Sequence, residues 1–361
     1  MTLINYNLHS FSANEIKQYG SSLIGDGEKE AQYILSLAQQ WLSGQLYFVF
    51  QTSGSTGNPK QINLHRSQLE ASANATIKAL HFTANDHILL CINTQFIGGA
   101  MMLIRGLMLE ATITIQQPTG NPLQTLAENH PFTVASFAPL QLHPLLKNEN
   151  NELAKLNKFD TILVGGAPIN AELEEAIKQT TTKAFHTYGM TETASHIALR
   201  KIGNTDFFTA LDGIDLKLDD RSCLAITGAV TMHQWIQTND AVELINANEF
   251  KVLGRADDMI NSGGVKIWPA KVENEIRQAA GAKCNNVFVV GLAESKLGQQ
   301  LIAIIEAENW TSADTDLIKR KMEQSLNKYE IPKQYYIITS FSYTKTGKID
   351  KHETLKMMQL E

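Results

Sequence analysis

Small hydroxyl residues and glycines are concentrated at residues 52–60, which read Thr-Ser-Gly-Ser-Thr-Gly-Asn-Pro-Lys. A backbone with small side chains can approach a phosphate chain closely, and successive N–H groups in such a turn form an anion-binding concavity. Lys60 would add a positive charge. The P-loop of nucleotide hydrolases needs Gly-Lys-Ser/Thr, whereas here the lysine follows Pro59 and no hydroxyl residue comes next. The stretch therefore predicts a phosphate loop of another kind, with a flexible loop as the alternative.

A second stretch whose residue types could take part in binding or catalysis begins at Tyr188 and reads Tyr-Gly-Met-Thr-Glu. It follows a predicted strand at 183–185, and Thr191 followed by Glu192 is typical of a helix start with an acid in its first turn. A capping acid is the simple alternative. A glycine pair upstream, Gly165 and Gly166, precedes Ala167 and follows another predicted strand, so it is either a tight turn or a surface on which a flat ring can lie.

Together these segments resemble the adenylate-forming superfamily, which includes acyl-CoA synthetases, luciferases and peptide-synthetase adenylation domains. Such enzymes join a carboxylate to AMP and usually pass the acyl group to a thiol, so the resemblance implies ATP, Mg²⁺ and coenzyme A. It implies that Tyr188 stacks on adenine beside Gly189, that Thr191 contacts the α-phosphate and that Glu192 holds magnesium. The remaining nucleotide-binding residues that it implies are Thr52, Ser53, Gly54, Ser55, Thr56, Gly57, Lys60, Gly165, Gly166 and Ala167.

Two later segments fit the same resemblance. Gln-Thr-Asn-Asp ends at Asp240, whose carboxylate would accept both ribose hydroxyls, and Asn239 stands where the family has glycine. Asparagine also tolerates the left-handed backbone that glycine adopts. In Gly-Arg-Ala-Asp-Asp, Arg255 would bind the ribose and phosphate, and Asp257 falls at the family's hinge. The alternatives are a capping aspartate and a solvated charged turn.

The C-terminal Thr-Gly-Lys-Ile segment contains the last predicted catalytic residue, Lys348. By resemblance, this lysine enters the active site and neutralises the carboxylate that attacks the α-phosphate. Its neighbours Lys345 and Lys351 are predicted to be surface residues.

The acyl pocket is predicted from residues on several segments. Arg105 is the one cation in an apolar helical pattern, so it is either a snorkelling surface residue or the partner of a second substrate carboxylate. Phe96 stands where the family usually has histidine. The short chain and Arg105 resemble the branch of the family that makes o-succinylbenzoyl-CoA for menaquinone synthesis. Further pocket residues are expected to be Ser136, Ser195 and His196.

The elements that position these residues follow an alternating pattern. Strand-like runs at 46–50, 87–92, 112–115, 133–137 and 161–164 alternate with helical patterns at 66–80, 99–109, 139–146 and 170–179. This alternation predicts an α/β fold with mostly parallel sheets covered by helices, and ligands gather at the carboxyl ends of such strands. Short alternating runs after Gly203 predict a small β subdomain. We expect an N-terminal adenylation domain at 1–255 and a small mobile α+β domain at 256–361.

Composition narrows the class of protein. A chain of 361 residues can bury a large core, and its formal net charge of −6 gives no basic surface for nucleic acid. The N-terminus is polar and lacks a signal-peptide pattern, and no run is long and apolar enough for a membrane span. Cys91, Cys223 and Cys284 are far apart in sequence, which favours reduced thiols in a cytoplasmic protein.

The predicted function is ATP-dependent activation of a carboxylic acid followed by transfer to CoA, with o-succinylbenzoate as the expected acid. Three alternatives remain open. The enzyme could act on another small aryl or short-chain carboxylate, it could be a nucleotide-binding module without turnover, or it could load a carrier protein.

Overall fold

The computed structural model describes residues 3–25, 27–52, 60–295, 297–343 and 349–360. Its strands are β1 (Leu3–Tyr6), β2 (His9–Ser12), β3 (Tyr47–Gln51), β4 (Gln61–His65), β5 (His87–Leu90), β6 (Thr112–Ile115), β7 (Val134–Phe137), β8 (Thr161–Val164), β9 (Lys183–Met190), β10 (Ser195–Lys201), β11 (Phe208–Ala210), β12 (Ile214–Leu218), β13 (Cys223–Gly228), β14 (Ile236–Leu244), β15 (Glu249–Arg255), β16 (Ile260–Ser262), β17 (Val265–Ile267), β18 (Asn286–Glu294), β19 (Gly298–Glu306) and β20 (Gln334–Ile338). Its α-helices are α1 (Ala13–Tyr19), α2 (Lys29–Leu42), α3 (Arg66–Leu80), α4 (Ile97–Leu109), α5 (Pro139–Leu142), α6 (Glu152–Leu156), α7 (Ala171–Lys178), α8 (Pro269–Ala280), α9 (Ser312–Ser325) and α10 (Lys351–Met357).

The chain divides into two compact units. One contains Met1–Lys217, Ala225–Thr238 and Leu244–Lys251, and the other contains Leu218–Leu224, Asn239–Glu243 and Val252–Glu361. The second unit therefore begins its main segment a few residues before the predicted boundary at 255 and also takes up two short segments from the predicted first domain. The assignment of functional domains to 1–255 and 256–361 stays a prediction.

The parallel strands of the first unit belong to a large mixed sheet, and they include the alternating strands that the sequence pattern predicts. Strands β9, β8, β7, β5 and β6 run parallel in that order, and β1 adds to β6, also in parallel. At the other side β10 pairs with β9 and β11 pairs with β10, both antiparallel. The chain goes from β5 to β6 on one side and returns to β7 on the other side of β5. At such a reversal of strand order, a ligand-binding crevice is expected at the carboxyl ends of the strands, here β5 and β7.

Helix α4 is the most deeply buried helix near that crevice. Its residues from Gly99 to Leu107 are all buried, as is typical of a helix that is apolar all round. A Cβ on Gly106 would lie 2.6 Å from Cδ1 of Ile113 in β6, so glycine lets the helix pack closely on the sheet. The same helix also packs against α3, β7 and β10.

Three local predictions differ from the structure. The predicted buried strand at 46–50 is buried on one face only, because β3 pairs just with β4 in the described chain and leaves Tyr47 and Val49 58% and 54% exposed. Two of the short alternating runs predicted after Gly203, at 235–238 and 242–245, form one continuous strand, β14. The predicted helix start at Thr191 is a 3₁₀ turn, Thr191–Thr193, that leads into β10.

The second unit has its own α+β core. In β18 and β19, alternate residues point to opposite faces. One face packs against α8 and α9 through Val272, Ile276, Ile318 and Met322. The opposite face packs Phe288 against Phe341 and Leu355, the latter in α10. This unit therefore buries a helix pair on one face of its sheet and the C-terminal helix on the other.

Two negative expectations from composition can be compared with the described residues. None of the helices in the described ranges is long and apolar enough to cross a membrane. Cys91, Cys223 and Cys284 are free thiols, and the first two are buried. Burial raises the pKa of the Cys284 thiol to about 11, so this residue is protonated at neutral pH.

Candidate active site

The segments that follow β5 and β7 lie next to each other at the carboxyl ends of these strands. Gln141 connects the two segments, since its Nε2 donates to Cys91 O at 2.9 Å and its Oε1 accepts from Ala138 N at 3.0 Å. Ser136, predicted to line the acyl pocket, is buried near the carboxyl end of β7. Sequence reasoning missed Gln141, although a glutamine two residues after Pro139 at a helix start is a recognisable capping signal.

The predicted adenine turn lies at the carboxyl end of β8. A Cβ on Gly165 would lie 2.0 Å from Oγ1 of Thr187, so this position accepts only glycine without rearrangement. Gly166 has φ +85, and no atom of the described residues lies within 4 Å of the position that a Cβ would take there. The carbonyl of Ala167 is 3.3 Å from His186 Nε2. Burial and the nearby Arg200 lower the pKa of His186 to about 4, so the ring is neutral at pH 7.

Tyr188 lies within β9, next to the Gly165 turn. Its ring makes an edge contact with Phe250, with centroids 5.1 Å apart, and a tilted contact with Phe208 at 5.7 Å. Gly189 follows, and a Cβ there would lie 2.2 Å from Ser195 O in the neighbouring strand. The backbones of β9 and β10 therefore approach so closely that the motif glycine is required for packing. Phe208 and Phe250, which hold the tyrosine, were not predicted to belong to the site.

The turn from Thr191 to Ser195 connects β9 to β10. Thr191 is buried and Glu192 is half-buried. Ala194 and Ser195 both have positive φ, +52 and +85, which is a strained backbone for residues with side chains. Thr193 fixes the turn by accepting from Met190 N at 3.1 Å and donating to Ser195 O at 2.9 Å. Strain of this kind is characteristic of functional segments.

Glu192 fits the chemistry of a transient magnesium site. Mg²⁺ is usually held by one or two carboxylates together with phosphate oxygens and waters. In the described ranges, no group of three His, Cys, Asp or Glu side chains could form a complete protein cage for a metal. The half-buried carboxylate of Glu192 therefore suits an ion that arrives with a nucleotide.

Arg105 is 1% exposed in the middle of α4, so the alternative of a snorkelling surface arginine is wrong. Because α4 is apolar all round, it offers no polar edge along which a long side chain could reach water. Its Nη1 lies 3.8 Å from the sulfur of Met102, whereas Nε and Nη2 are buried without a hydrogen-bond partner in the described structure. Burial lowers the pKa of Arg105 to about 9, so the group is still protonated at pH 7.

His196 lies near Arg105 and is also buried. Burial and the positive charge of Arg105 hold the pKa of His196 well below its usual value, so the imidazole is neutral. Its Nε2 is 2.8 Å from Oγ1 of Thr76, one turn of α3 beyond Ser72, whose Oγ donates to Ala194 O at 2.6 Å. Sequence reasoning missed Ser72 and Thr76. Their signal was two hydroxyl residues four positions apart on the helix face that carries Leu69 and Ala73.

The phosphate loop is described only at its two ends. Thr52 N donates to Lys60 O at 2.9 Å, and Lys60 N donates to Thr52 Oγ1 at 3.0 Å, so the two residues close the base of the loop. The predicted phosphate-binding residues Ser53, Gly54, Ser55, Thr56 and Gly57 lie outside the described residues, as does Lys348. Their roles stay predictions.

The second unit brings together the residues predicted to hold ribose and to form the hinge. Arg255 lies 3.4 Å from Asp240 and 3.3 Å from Asp257, and Asn239 Nδ2 donates to Asp257 at 3.1 Å. Asn239 Oδ1 in turn accepts from Arg221 at 3.3 Å. Asn239 lies within β14 and has no positive φ, so the tolerance of asparagine for a left-handed backbone is not used there. Its side chain, rather than its backbone freedom, distinguishes it from glycine.

Comparison with known proteins identifies the family. The profile of the AMP-binding enzyme family matches residues 14–223. Curated 2-succinylbenzoate–CoA ligases from Listeria monocytogenes and Escherichia coli K12 are both 28% identical to this chain. The first alignment covers 88% of this chain and 71% of the relative, and the second covers 83% and 69%.

Solved structures agree with this assignment. An acyl-CoA synthetase (AMP-forming)/AMP-acid ligase II-like protein from Dyadobacter fermentans is 35% identical, with 96% of this chain and 99% of that chain covered and a TM-score of 0.63. O-succinylbenzoate coenzyme A synthetase from Bacillus subtilis, in complex with ATP and magnesium ion, shares the fold at 22% identity and a TM-score of 0.70, over 85% of this chain and 69% of that one. Because the profile covers more than half of the sequence, this chain belongs to the AMP-binding enzyme family, as its motifs predict.

Proposed function

We propose that the protein is an AMP-forming acid–thiol ligase that converts 2-succinylbenzoate, ATP and CoA into the CoA thioester, a step of menaquinone biosynthesis. The observation that carries this proposal is that Nε and Nη2 of the Arg105 guanidinium are buried without a hydrogen-bond partner among the described residues. Leaving a buried charge without a partner costs several kcal/mol, so a buried arginine is expected to meet an anion. A substrate with one carboxylate to activate and a second to recognise supplies that anion.

The pocket residues are assigned to the substrate carboxylate that does not react. Arg105 would bind the one that does not react, and its planar guanidinium can donate two parallel hydrogen bonds to it. The neutral ring of His196 adds no second charge. The length of the substrate then places its other carboxylate towards the nucleotide. Ser136 and Ser195 are proposed to line the same pocket.

Adenylation is an in-line displacement on the α-phosphate, so positioning and charge neutralisation supply most of the catalysis. We assign adenine to the turn at Gly165, Gly166 and Ala167 and to the ring of Tyr188, and the α-phosphate to Thr191. Magnesium on Glu192 would neutralise phosphate charge when bound.

The remaining assignments follow the sequence prediction. The ribose is assigned to Asp240 and Arg255, and Lys348 would steady the reacting carboxylate. Asp257 would act as the hinge between the adenylating and the thiol-transferring conformations. Because ATP and CoA are cytoplasmic cosubstrates, the proposed reaction places the enzyme in the cytoplasm.

Exchange of labelled pyrophosphate into ATP tests the proposal directly. The acids to compare are 2-succinylbenzoate and its two monoacid relatives, 3-benzoylpropionate and 2-butanoylbenzoate, each of which lacks one carboxylate. We expect exchange with the diacid to exceed that with either monoacid by roughly 10²-fold in kcat/KM, because the monoacid that lacks the recognised carboxylate leaves Arg105 unpaired and the other has no carboxylate in position to react. Exchange with a monoacid at the same efficiency would point to another small carboxylate as the substrate. AMP binding without exchange for any acid would point to a binding module.

A further inference from the structure

The face of helix α3 that carries Ser72 and Thr76 contacts the start of β10. Ser72 and Thr76 are fully buried, and His196 is nearly so. Ser72 Oγ donates to the carbonyl of Ala194 at 2.6 Å, and Thr76 Oγ1 lies 2.8 Å from Nε2 of His196. One face of α3 therefore contacts both the strained turn, at Ala194, and the imidazole of His196.

The hydrogen bonds of Thr76 determine which ring nitrogen of His196 carries the proton. A threonine hydroxyl has one proton to donate and two lone pairs with which to accept. Thr76 Oγ1 donates that proton to the carbonyl of Ser72 at 3.1 Å, one helical turn earlier. With the hydroxyl proton in that hydrogen bond, the Thr76 oxygen accepts from His196, an arrangement that requires the hydrogen on Nε2 and leaves Nδ1 unprotonated.

The charge state of His196 is set by its surroundings. The ring is buried, and the guanidinium of Arg105 repels a second positive charge, so the neutral form persists at pH 7. A neutral imidazole still has two tautomers of similar energy, and the hydrogen bond made by one nitrogen selects between them. Thr76 makes that hydrogen bond.

We propose that Thr76 is a positioning residue for the acyl pocket: it holds His196 as the Nε2–H tautomer in a fixed orientation, so that the pocket presents the charge of Arg105 and a bare Nδ1. This inference rests on the proposed function, because it assumes that His196 faces the acid. The recognised carboxylate then meets Arg105 beside a ring that cannot rotate. Ser72 supports the arrangement by providing the carbonyl that takes the Thr76 proton.

The test combines a spectroscopic signature with kinetics. Ring nitrogens of ¹⁵N-histidine have widely separated chemical shifts when protonated and when bare, and His196→Gln identifies the signal of His196 among the ten histidines. In the wild type we expect a protonated Nε2 and a bare Nδ1. In Thr76→Val the acceptor is lost, and we expect a mixture of tautomers with KM for 2-succinylbenzoate raised by roughly tenfold and kcat changed less. Thr76→Ser keeps the hydroxyl and should restore both readouts to within about twofold.

Thr182→Val is the matched control, because Thr182 is also a buried threonine whose hydroxyl donates to a carbonyl, that of Leu156 at 2.5 Å. It should leave the His196 signals unchanged. The proposal would be overturned if the His196 nitrogen signals of Thr76→Val were the same as those of the wild type. It would also be overturned if Thr76→Ser were as impaired as Thr76→Val. The nitrogen spectra need no substrate, so they test the positioning of His196 even if 2-succinylbenzoate proves to be the wrong acid.

Discussion

Arg200, a residue that is 8% exposed, donates two hydrogen bonds to the carboxylate of Glu174, at 3.0 and 2.8 Å. The first unit thus contains a buried arginine with a bidentate partner and another, Arg105, with two donors that have no partner in the described part of the chain. The residues next to Arg105 and Arg200 in the sequence do not indicate which of the two arginines has a carboxylate partner. A position kept charged at a cost to stability is expected to serve binding.

Replacing Arg105 by methionine should stabilise the ligand-free protein. A volume-matched apolar side chain removes a buried charge for which the described residues provide no counter-charge, and such replacements are neutral or stabilising by about 1–4 kcal/mol. Urea unfolding of the wild type and of Arg105→Met measures the difference in the free energy of unfolding.

Arg200→Met is the control for that experiment. It leaves the half-buried carboxylate of Glu174 with only the longer contact to Lys178, at 3.9 Å, so we expect a loss of about 1–3 kcal/mol. If Arg105→Met were destabilised to the same degree, Arg105 would have a structural partner and the inference from its unpaired charge would be wrong.

Gly189→Ala should impair both folding and activity. The added Cβ would lie 2.2 Å from Ser195 O and 2.5 Å from Cα of His196, and both atoms belong to the backbone of β10. Relief of this overlap must move the strand that carries His196, at a cost of about 1–3 kcal/mol. Gly120→Ala, where nothing lies within 4 Å of the new atom, should be close to neutral. Equal thermal stability of the two variants would show that β9 and β10 are not packed as described.

Stability should fall in mild acid because of His186. Its pKa is about 4 in the folded protein and near 6.5 when unfolded, so the unfolded chain binds the proton more tightly. Its contribution to stability is therefore complete above pH 6.5 and is lost as the pH falls towards 4. The shift corresponds to about 3 kcal/mol at most, and partial exposure of the ring reduces this.

Comparison of unfolding free energies between pH 7 and 4 in the wild type and in His186→Gln isolates this effect from the other histidines. We expect the variant to lose less stability than the wild type over that interval. Parallel curves would mean that His186 is protonated as easily in the folded chain as in the unfolded one.

Lys348→Ala should separate the two half-reactions. On the proposed mechanism the lysine serves only adenylation, so acyl-AMP formation should be abolished while transfer from supplied acyl-AMP to CoA stays largely intact. Quantifying both half-reactions by product analysis checks this. Equal loss of both would contradict the role assigned to the lysine.

Periodicity predicted those elements whose pattern was local and regular. Helix α3 spans Arg66–Leu80, and β6 and β8 span Thr112–Ile115 and Thr161–Val164, as expected. Strand β1 was not predicted, because it is short and gains its place by pairing with β6, more than a hundred residues away. Strand β10 was missed for another reason. Six of its seven residues are buried, so it lacks the alternation of an amphipathic strand.

In the candidate site, too, local sequence patterns predicted some residues, whereas the roles of others depend on tertiary packing. Motif spacing singled out the Gly165 turn, Tyr188 and Glu192 as candidates. The Gly165 turn follows β8, as the alternating pattern indicated. Tyr188 lies inside β9, which extends beyond the predicted strand at 183–185, and Glu192 follows the end of β9. The burial of Arg105 depended on whether α4 is covered on every side, and that is decided by tertiary packing. The supporting residues Thr76 and Gln141 act on distant segments, so neither spacing nor composition assigned them a role.

The most direct test is the ratio of kcat/KM for 2-succinylbenzoate to that for 3-benzoylpropionate and 2-butanoylbenzoate, measured by pyrophosphate exchange in the wild type and in Arg105→Met. If Arg105 binds the second carboxylate, the wild type should prefer the diacid to both monoacids by roughly 10²-fold, and Arg105→Met should lose most of its preference over the monoacid that keeps the reacting group. The same ratios in both proteins would contradict the assignment of Arg105 to substrate recognition.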